Sequence, residues 1–232
     1  MKAVIFAGGK GKRLKTEENL PKPLVSIKGI PIIDRIINSL KNVNIDEIFI
    51  LVNHKEDLIR NHFNENFGKI NLKFIKDEGI GTLNAINKLR SLKENFILLD
   101  GDSLFNPKIL SGLINYSTRI RFDLIRCITD KRSHPDYKVL IDKNNIILDY
   151  GKDINGNHLE AGISICSPII FKEIPKAQLN KIKEFGDFTT FLIKRGYRVI
   201  GYMISEFYDI DSLEDLKKAE RFIEKQSSLN IY

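Results

Sequence analysis

Residues 3–24 read AVIFAGGKGKRLKTEENLPKPL, and the change of texture inside this stretch decides the fold. Apolar residues 3–6, with β-branched Val4 and Ile5, make a buried strand, which the glycines Gly8, Gly9 and Gly11 cannot continue. Cations follow at Lys10, Lys12 and Arg13, and Lys22 stands between two prolines. Glycines let the backbone approach phosphate or a base with no Cβ in the way, exposed N–H groups donate to oxyanions, and Arg13 and Lys22 can follow charge as it moves. A strand entering such a loop opens an α/β sheet that binds its ligand at the strands' carboxyl ends. The chemistry implied is phosphoryl or nucleotidyl transfer from a nucleoside triphosphate.

Outward from that stretch, apolar runs at 3–6, 48–52, 72–75 and 96–99 read as buried parallel strands. Helical periodicity at 32–40, 56–63, 83–92 and 107–116 separates them. The texture then shifts to shorter strands, partly antiparallel, at 124–128, 138–141, 146–150, 161–166 and 199–204, with helices at 169–174 and 188–195. The expected class is α/β: a single-domain, open, mixed but mostly parallel sheet flanked by helices, Rossmann-like. The domain is expected to span 1–232, with a nucleotide-binding half at 1–106 and an acceptor-binding half at 107–232. Ser212 leads a last helix to about residue 226, and the acidic residue three places on, Asp215, completes a capping-box pattern.

Composition narrows the function classes. The net charge of +7 is spread among acidic residues, and no Lys/Arg run interleaves with aromatics, so nucleic acid is not the expected partner. Phosphorylated small molecules need positive potential as well. No run approaches the roughly 20 apolar residues of a membrane helix, and no secretory h-region opens the chain, so a cytoplasmic protein without a membrane partner is expected. Cys127 and Cys166 lie in apolar strands and are expected in the core. His54, His62, His134 and His158 have no ligand spacing and are expected to be surface or structural.

Two better-known glycine loops fail on this sequence. A dinucleotide fingerprint needs glycine where Leu14 stands, and a Walker loop needs Ser or Thr where Arg13 stands and glycine at Phe6. What remains, Ala7-Gly8-Gly9-Lys10-Gly11-Lys12-Arg13-Leu14 followed by Pro21-Lys22-Pro23-Leu24, resembles the signature of the sugar-phosphate nucleotidyltransferases. Some later features are similar to inositol-phosphate and phosphocholine cytidylyltransferases. The resemblance implies a GT-A-like fold and a nucleotide site at Ala7, Gly8, Gly9, Gly11, Arg13 and Lys22, extended by Gly81 and Thr82 beside the base and ribose.

Two acidic constellations supply the metal expectation. In Asp100-Gly101-Asp102 and in Asp209-Ile210-Asp211, carboxylates two apart on extended backbone share a face. Mg²⁺ favours oxygen ligands and joins one or two carboxylates to substrate phosphates. The family resemblance assigns the metal to Asp102 and Asp209; Asp211 is left between metal ligand and helix cap. The same resemblance places the acceptor at Lys152, which would grip its phosphate, and at Glu160 and Gly162.

Arg13, Lys22 and Asp102 are the expected catalytic residues. The implied reaction is Mg²⁺-dependent transfer of a nucleoside monophosphate from a nucleoside triphosphate to a sugar 1-phosphate, with pyrophosphate released and a nucleoside-diphosphate sugar formed. An alternative is cytidylyl transfer to a non-sugar phosphate, and one of another class is a noncatalytic nucleotide-sensing subunit. The choice of nucleotide, the acceptor and any homo-oligomer stay open at this point.

Overall fold

The computed structural model describes residues 1–9, 14, 20–45, 47–66, 70–130, 137–205 and 207–229. Its parallel core joins β1 (Lys2–Phe6), β4 (Glu47–Val52), β5 (Asn71–Lys76) and β6 (Phe96–Asp100) in the order β5-β4-β1-β6. β1 pairs in parallel with both β4 and β6, so the chain winds to opposite sides of β1. That reversal opens a crevice at the carboxyl end of β1, where the glycine loop begins.

The second half extends the same sheet. β11 (His158–Cys166) runs antiparallel to β6 and, on its other side, to β8 (Leu124–Thr129), which pairs in parallel with β12 (Val199–Met203). The antiparallel hairpin of β9 (Lys138–Ile141) and β10 (Ile147–Gly151) joins the start of β11 at His158 and Leu159. β11 thus meets β9 first and β6 only from Ile163 onward. Between these pairings a register shift at Glu160–Ser164 bends the strand, as bulges beside ligand sites do.

Side-chain alternation divides the core between the two sheet faces. In β1, Ala3 and Ile5 join one apolar cluster and Val4 the other; in β6, Ile97 and Leu99 oppose Phe96 and Leu98. α1 (Ile32–Lys41) lays Ile32, Ile33, Ile36, Ile37 and Leu40 on the first face. α3 (Thr82–Asn87) and α6 (Phe185–Lys194) cover the second with Leu83, Ile86, Phe188 and Leu192. α2 (Glu56–Asn66), α4 (Lys108–Ser117) and α5 (Ile174–Leu179) complete the flanking layers. Cys127 and Cys166 are fully buried, and burial pushes both thiols well above their usual range, so packing is their role.

Several elements depart from expectation. The helix expected at 83–92 stops at Asn87, and three-residue turns carry Leu89 and Leu92 into the core. The helix expected at 169–174 is a 3-10 segment over Pro168–Lys172, capped by Ser167, with α5 after it. α6 begins three residues before its expected start. Short β2 (Ser26–Ile27) and β3 (Ile30–Pro31) were not expected, nor were β7 (Ser103–Phe105) and β13 (Phe207–Asp209). Among the described residues no helix is long and apolar enough to cross a membrane.

Candidate active site

β7 and β13 are only three residues each, yet they bring the two acidic constellations together. They pair antiparallel, with Asp209 opposite Ser103, and the Ile210 N–H donates to the Asp102 carbonyl at 3.0 Å. The Ser103 hydroxyl lies 3.3 Å from Asp209 Oδ1. Residues more than 100 positions apart in sequence are thereby fixed to one another through backbone bonds. Immediately after this ribbon, Ser212 caps α7 (Leu213–Leu229): its hydroxyl accepts from the Asp215 N–H at 3.2 Å and donates to the Asp215 carboxylate at 2.7 Å.

Lys22 joins this group from the segment that follows the glycine loop in sequence. Pro21 and Pro23 restrict the backbone around it, and Lys22–Leu24 forms a 3-10 turn whose Pro23 and Leu24 are buried. Its ammonium donates to Asp102 Oδ2 at 3.1 Å and to Asp211 Oδ1. Burial opposes the charge on Lys22, but Asp102 and Asp211 outweigh it and hold the ammonium above its usual pKa range. Asp211 is therefore a partner of Lys22, while the helix cap belongs to Ser212.

Asp100 ends β6, half-buried at the edge of the crevice. Desolvation first, and then the charges of Glu160, Asp102 and Asp209, push its carboxyl well above the usual range, with Arg126 opposing them. This reports a concentration of oxygen donors around Asp102 and Asp209. Among the described residues no group of three or more His, Cys, Asp or Glu side chains is arranged to hold a metal ion by itself. A hard cation that takes one or two carboxylates and completes its shell from phosphate and water needs no such group, and the donor set fits that chemistry.

The expected acceptor residues converge as well. Lys152, Glu160, Gly162 and Thr82 line one cavity of about 310 Å³ with Asp100, Arg126, Tyr137, Glu184 and Phe185. Gly162 is required there, because a Cβ would overlap the Asp100 carboxylate. Lys152 Nζ stands 5.2 Å from the Tyr137 ring centre. Glu160 is buried and ion-paired with Arg126, whose guanidinium also donates to Tyr150 at 2.6 Å and Ser164 at 3.0 Å.

Gly81 and Thr82 lie where the two halves meet. Gly81 has φ +133°, and the space of its absent Cβ is closed by the Lys183 backbone. Thr82 Oγ1 accepts from the Phe185 N–H at 2.7 Å and donates to Glu184 at 2.9 Å, tying α3 to the start of α6. Ala7, Gly8 and Gly9 continue β1: Ala7 donates to the Leu51 carbonyl at 2.8 Å, and Gly8 abuts Asn53 and Asp77. Gly11 and Arg13 lie outside the described residues, as does His134. His62 pairs with Asp34 at 2.7 Å and His158 with Asp130 at 2.6 Å.

Arg126, Tyr150 and Glu184 were not foreseen. The signal for Arg126 was a lone arginine within the otherwise largely apolar run Leu-Ile-Arg-Cys-Ile, since a charge buried in a strand demands a partner.

Residues 3–150 match the family model described as the MobA-like NTP transferase domain. The chain belongs to this family. The chain is 27% identical over 229 residues to D-glycero-alpha-D-manno-heptose 1-phosphate guanylyltransferase of Aneurinibacillus thermoaerophilus, covering 95% of this chain and 97% of that one. It is 28% identical over 236 residues to the bifunctional protein GlmU of Methanocaldococcus jannaschii, covering 96% of this chain but 54% of that protein. This NTP transferase domain also superposes on the inositol-1-phosphate CTP transferase from T. maritima with TM-score 0.83 and 22% identity, over 97% of this chain and 95% of the other. At that identity the likeness is one of fold.

Proposed function

We propose that the protein is a Mg²⁺-dependent nucleotidyltransferase that moves a nucleoside monophosphate from a nucleoside triphosphate to a sugar 1-phosphate, releasing pyrophosphate and forming a nucleoside-diphosphate sugar. The observation that carries the reading is the convergence of Lys22, Asp102, Asp209 and the Lys152 cavity at the carboxyl end of β6. The guanylyltransferase relative, matched along almost its whole length, supports the same reaction class.

The acceptor brings its own nucleophile. A phosphomonoester has a second pKa near 6, so its oxygen is already anionic at neutral pH and no activated Ser, Cys or His is needed. Catalysis then consists of positioning two polyanions and stabilising the charge that develops on the leaving pyrophosphate. Lys22 is assigned to the α-phosphate and Arg13 to the departing β- and γ-phosphates. Lys152 holds the acceptor's phosphate, with Glu160 and Gly162 shaping the space for its ring. Ala7, Gly8, Gly9 and Gly11 are assigned to the nucleotide, with Ala7 anchored to the sheet at the foot of the loop, and Gly81 and Thr82 are assigned to the boundary between its site and the acceptor's. Asp102 and Asp209 hold Mg²⁺, which when bound screens the repulsion between triphosphate and incoming phosphate.

A pyrophosphate-release screen tests the reading by crossing the common nucleoside triphosphates with hexose, heptose and aminosugar 1-phosphates, inositol phosphate and phosphocholine. GTP with a heptose or hexose 1-phosphate is the first pair to try, on the relative's name. Release with at least one sugar 1-phosphate is expected. Release with none of the sugars rejects the assignment, and a response confined to CTP with inositol phosphate or phosphocholine replaces it by cytidylyl transfer to a non-sugar acceptor.

A further inference from the structure

Asp211 makes a contact that neither a metal ligand nor a helix cap explains. Its Oδ1 accepts from the Lys22 ammonium, which also reaches Asp102 Oδ2 at 3.1 Å. The two carboxylates differ in exposure: the Asp211 side chain is 12% accessible and that of Asp102 29%. Both ends of the Lys22–Asp211 pair stand on constrained backbone, one between Pro21 and Pro23, the other just beyond the β13–β7 ribbon and its Ile210–Asp102 bond.

We infer that Asp211 is the positioning residue of Lys22, and that in the free protein the Lys22 ammonium serves Asp102 as a built-in counterion which an arriving divalent cation displaces. The inference rests on the nucleotidyltransferase reading of the site. An ammonium has three N–H donors, and here Asp211 and Asp102 engage two of them. The more accessible partner, Asp102, is the one a cation from solvent can take. The more buried partner keeps the side chain in place. Release of Asp102 turns a second donor toward the triphosphate, so a single exchange readies both the metal ligand and the catalytic cation. Without Asp211, Asp102 is the one carboxylate among the described residues left to hold Lys22, and its approach to the phosphates is no longer set.

Two measurements test this. The first is a double-mutant cycle on turnover with the productive substrate pair. Asp211→Asn is expected to lower kcat about tenfold or more, within the range for lost electrostatic stabilisers, while KM for the acceptor stays within about twofold. In a Lys22→Ala background the same change is expected to cost nothing further, since residues acting as a unit are not additive. Asp211→Glu should recover part of the loss. A merely structural Asp211 would instead cost the same factor with and without Lys22, and that result overturns the positioning role.

The second measurement is Mn²⁺ binding to the substrate-free protein, followed by electron paramagnetic resonance. Lys22→Ala is expected to tighten Mn²⁺ binding roughly fivefold, a typical coupling between two sites. Unchanged or weaker binding overturns the counterion role. This arm needs no turnover, so wild-type protein inactive with every substrate pair would sink the functional reading while the Mn²⁺ comparison still decides the exchange.

Discussion

At the residue scale, the site depends on charges that cannot be left alone. Lys22 is held charged by two carboxylates despite its burial. Lys22→Ala should therefore leave a folded protein whose turnover is lower by about 10²-fold, the scale of a lost transition-state donor; steady-state pyrophosphate release and a thermal melt check both halves. Gly162 is the second such point. Its missing Cβ is the space that Asp100 fills, so Gly162→Ala should destabilise by about 1–3 kcal/mol, as overpacking does, read from the unfolding midpoint. The sequence made Lys22, Asp102 and Asp209 legible because each sits in a short motif. Asp211 was not decided, because an Asp before Ser at a helix start reads equally as cap or ligand, whereas its contact is with Lys22, nearly 190 residues away in sequence.

At the element scale, strands and helices of ordinary length were legible and very short ones were not. The apolar run of β1 and the amphipathic α1 carry their own periodicity. β7 and β13 have three residues each, too few for a pattern, and exist because they pair with each other. The same holds for α3, whose helical spacing continues through Leu92 while the chain has already passed into tighter turns. Thr82 gives this scale its test, because its hydroxyl links α3 to α6 by two hydrogen bonds. Thr82→Val leaves the Phe185 N–H without that acceptor and should cost about 1–3 kcal/mol. Denaturant titration measures it, and an unchanged midpoint would mean the link contributes nothing.

At the scale of the whole molecule, one sheet carries both parts of the proposed site. Its parallel half ends in the glycine loop and Asp102; its antiparallel half bends at Glu160–Ser164 and opens the cavity that holds Lys152 and Gly162. The β-α alternation announced the first half, whereas the turn of β11 from β9 to β6 could not be read from spacing, because it follows from where β6 stops. The central claim is that these two halves join a phosphate oxygen of the acceptor to the α-phosphorus of the nucleotide. Phosphorus-31 NMR of the reaction with the productive pair, run in parallel with Asp102→Asn, addresses it directly. Wild-type protein with Mg²⁺ should build up the paired resonances of a diphosphate diester and one of free pyrophosphate, and Asp102→Asn should build up neither. Inorganic phosphate and a nucleoside diphosphate in their place, or an undiminished conjugate signal from Asp102→Asn, would contradict the account.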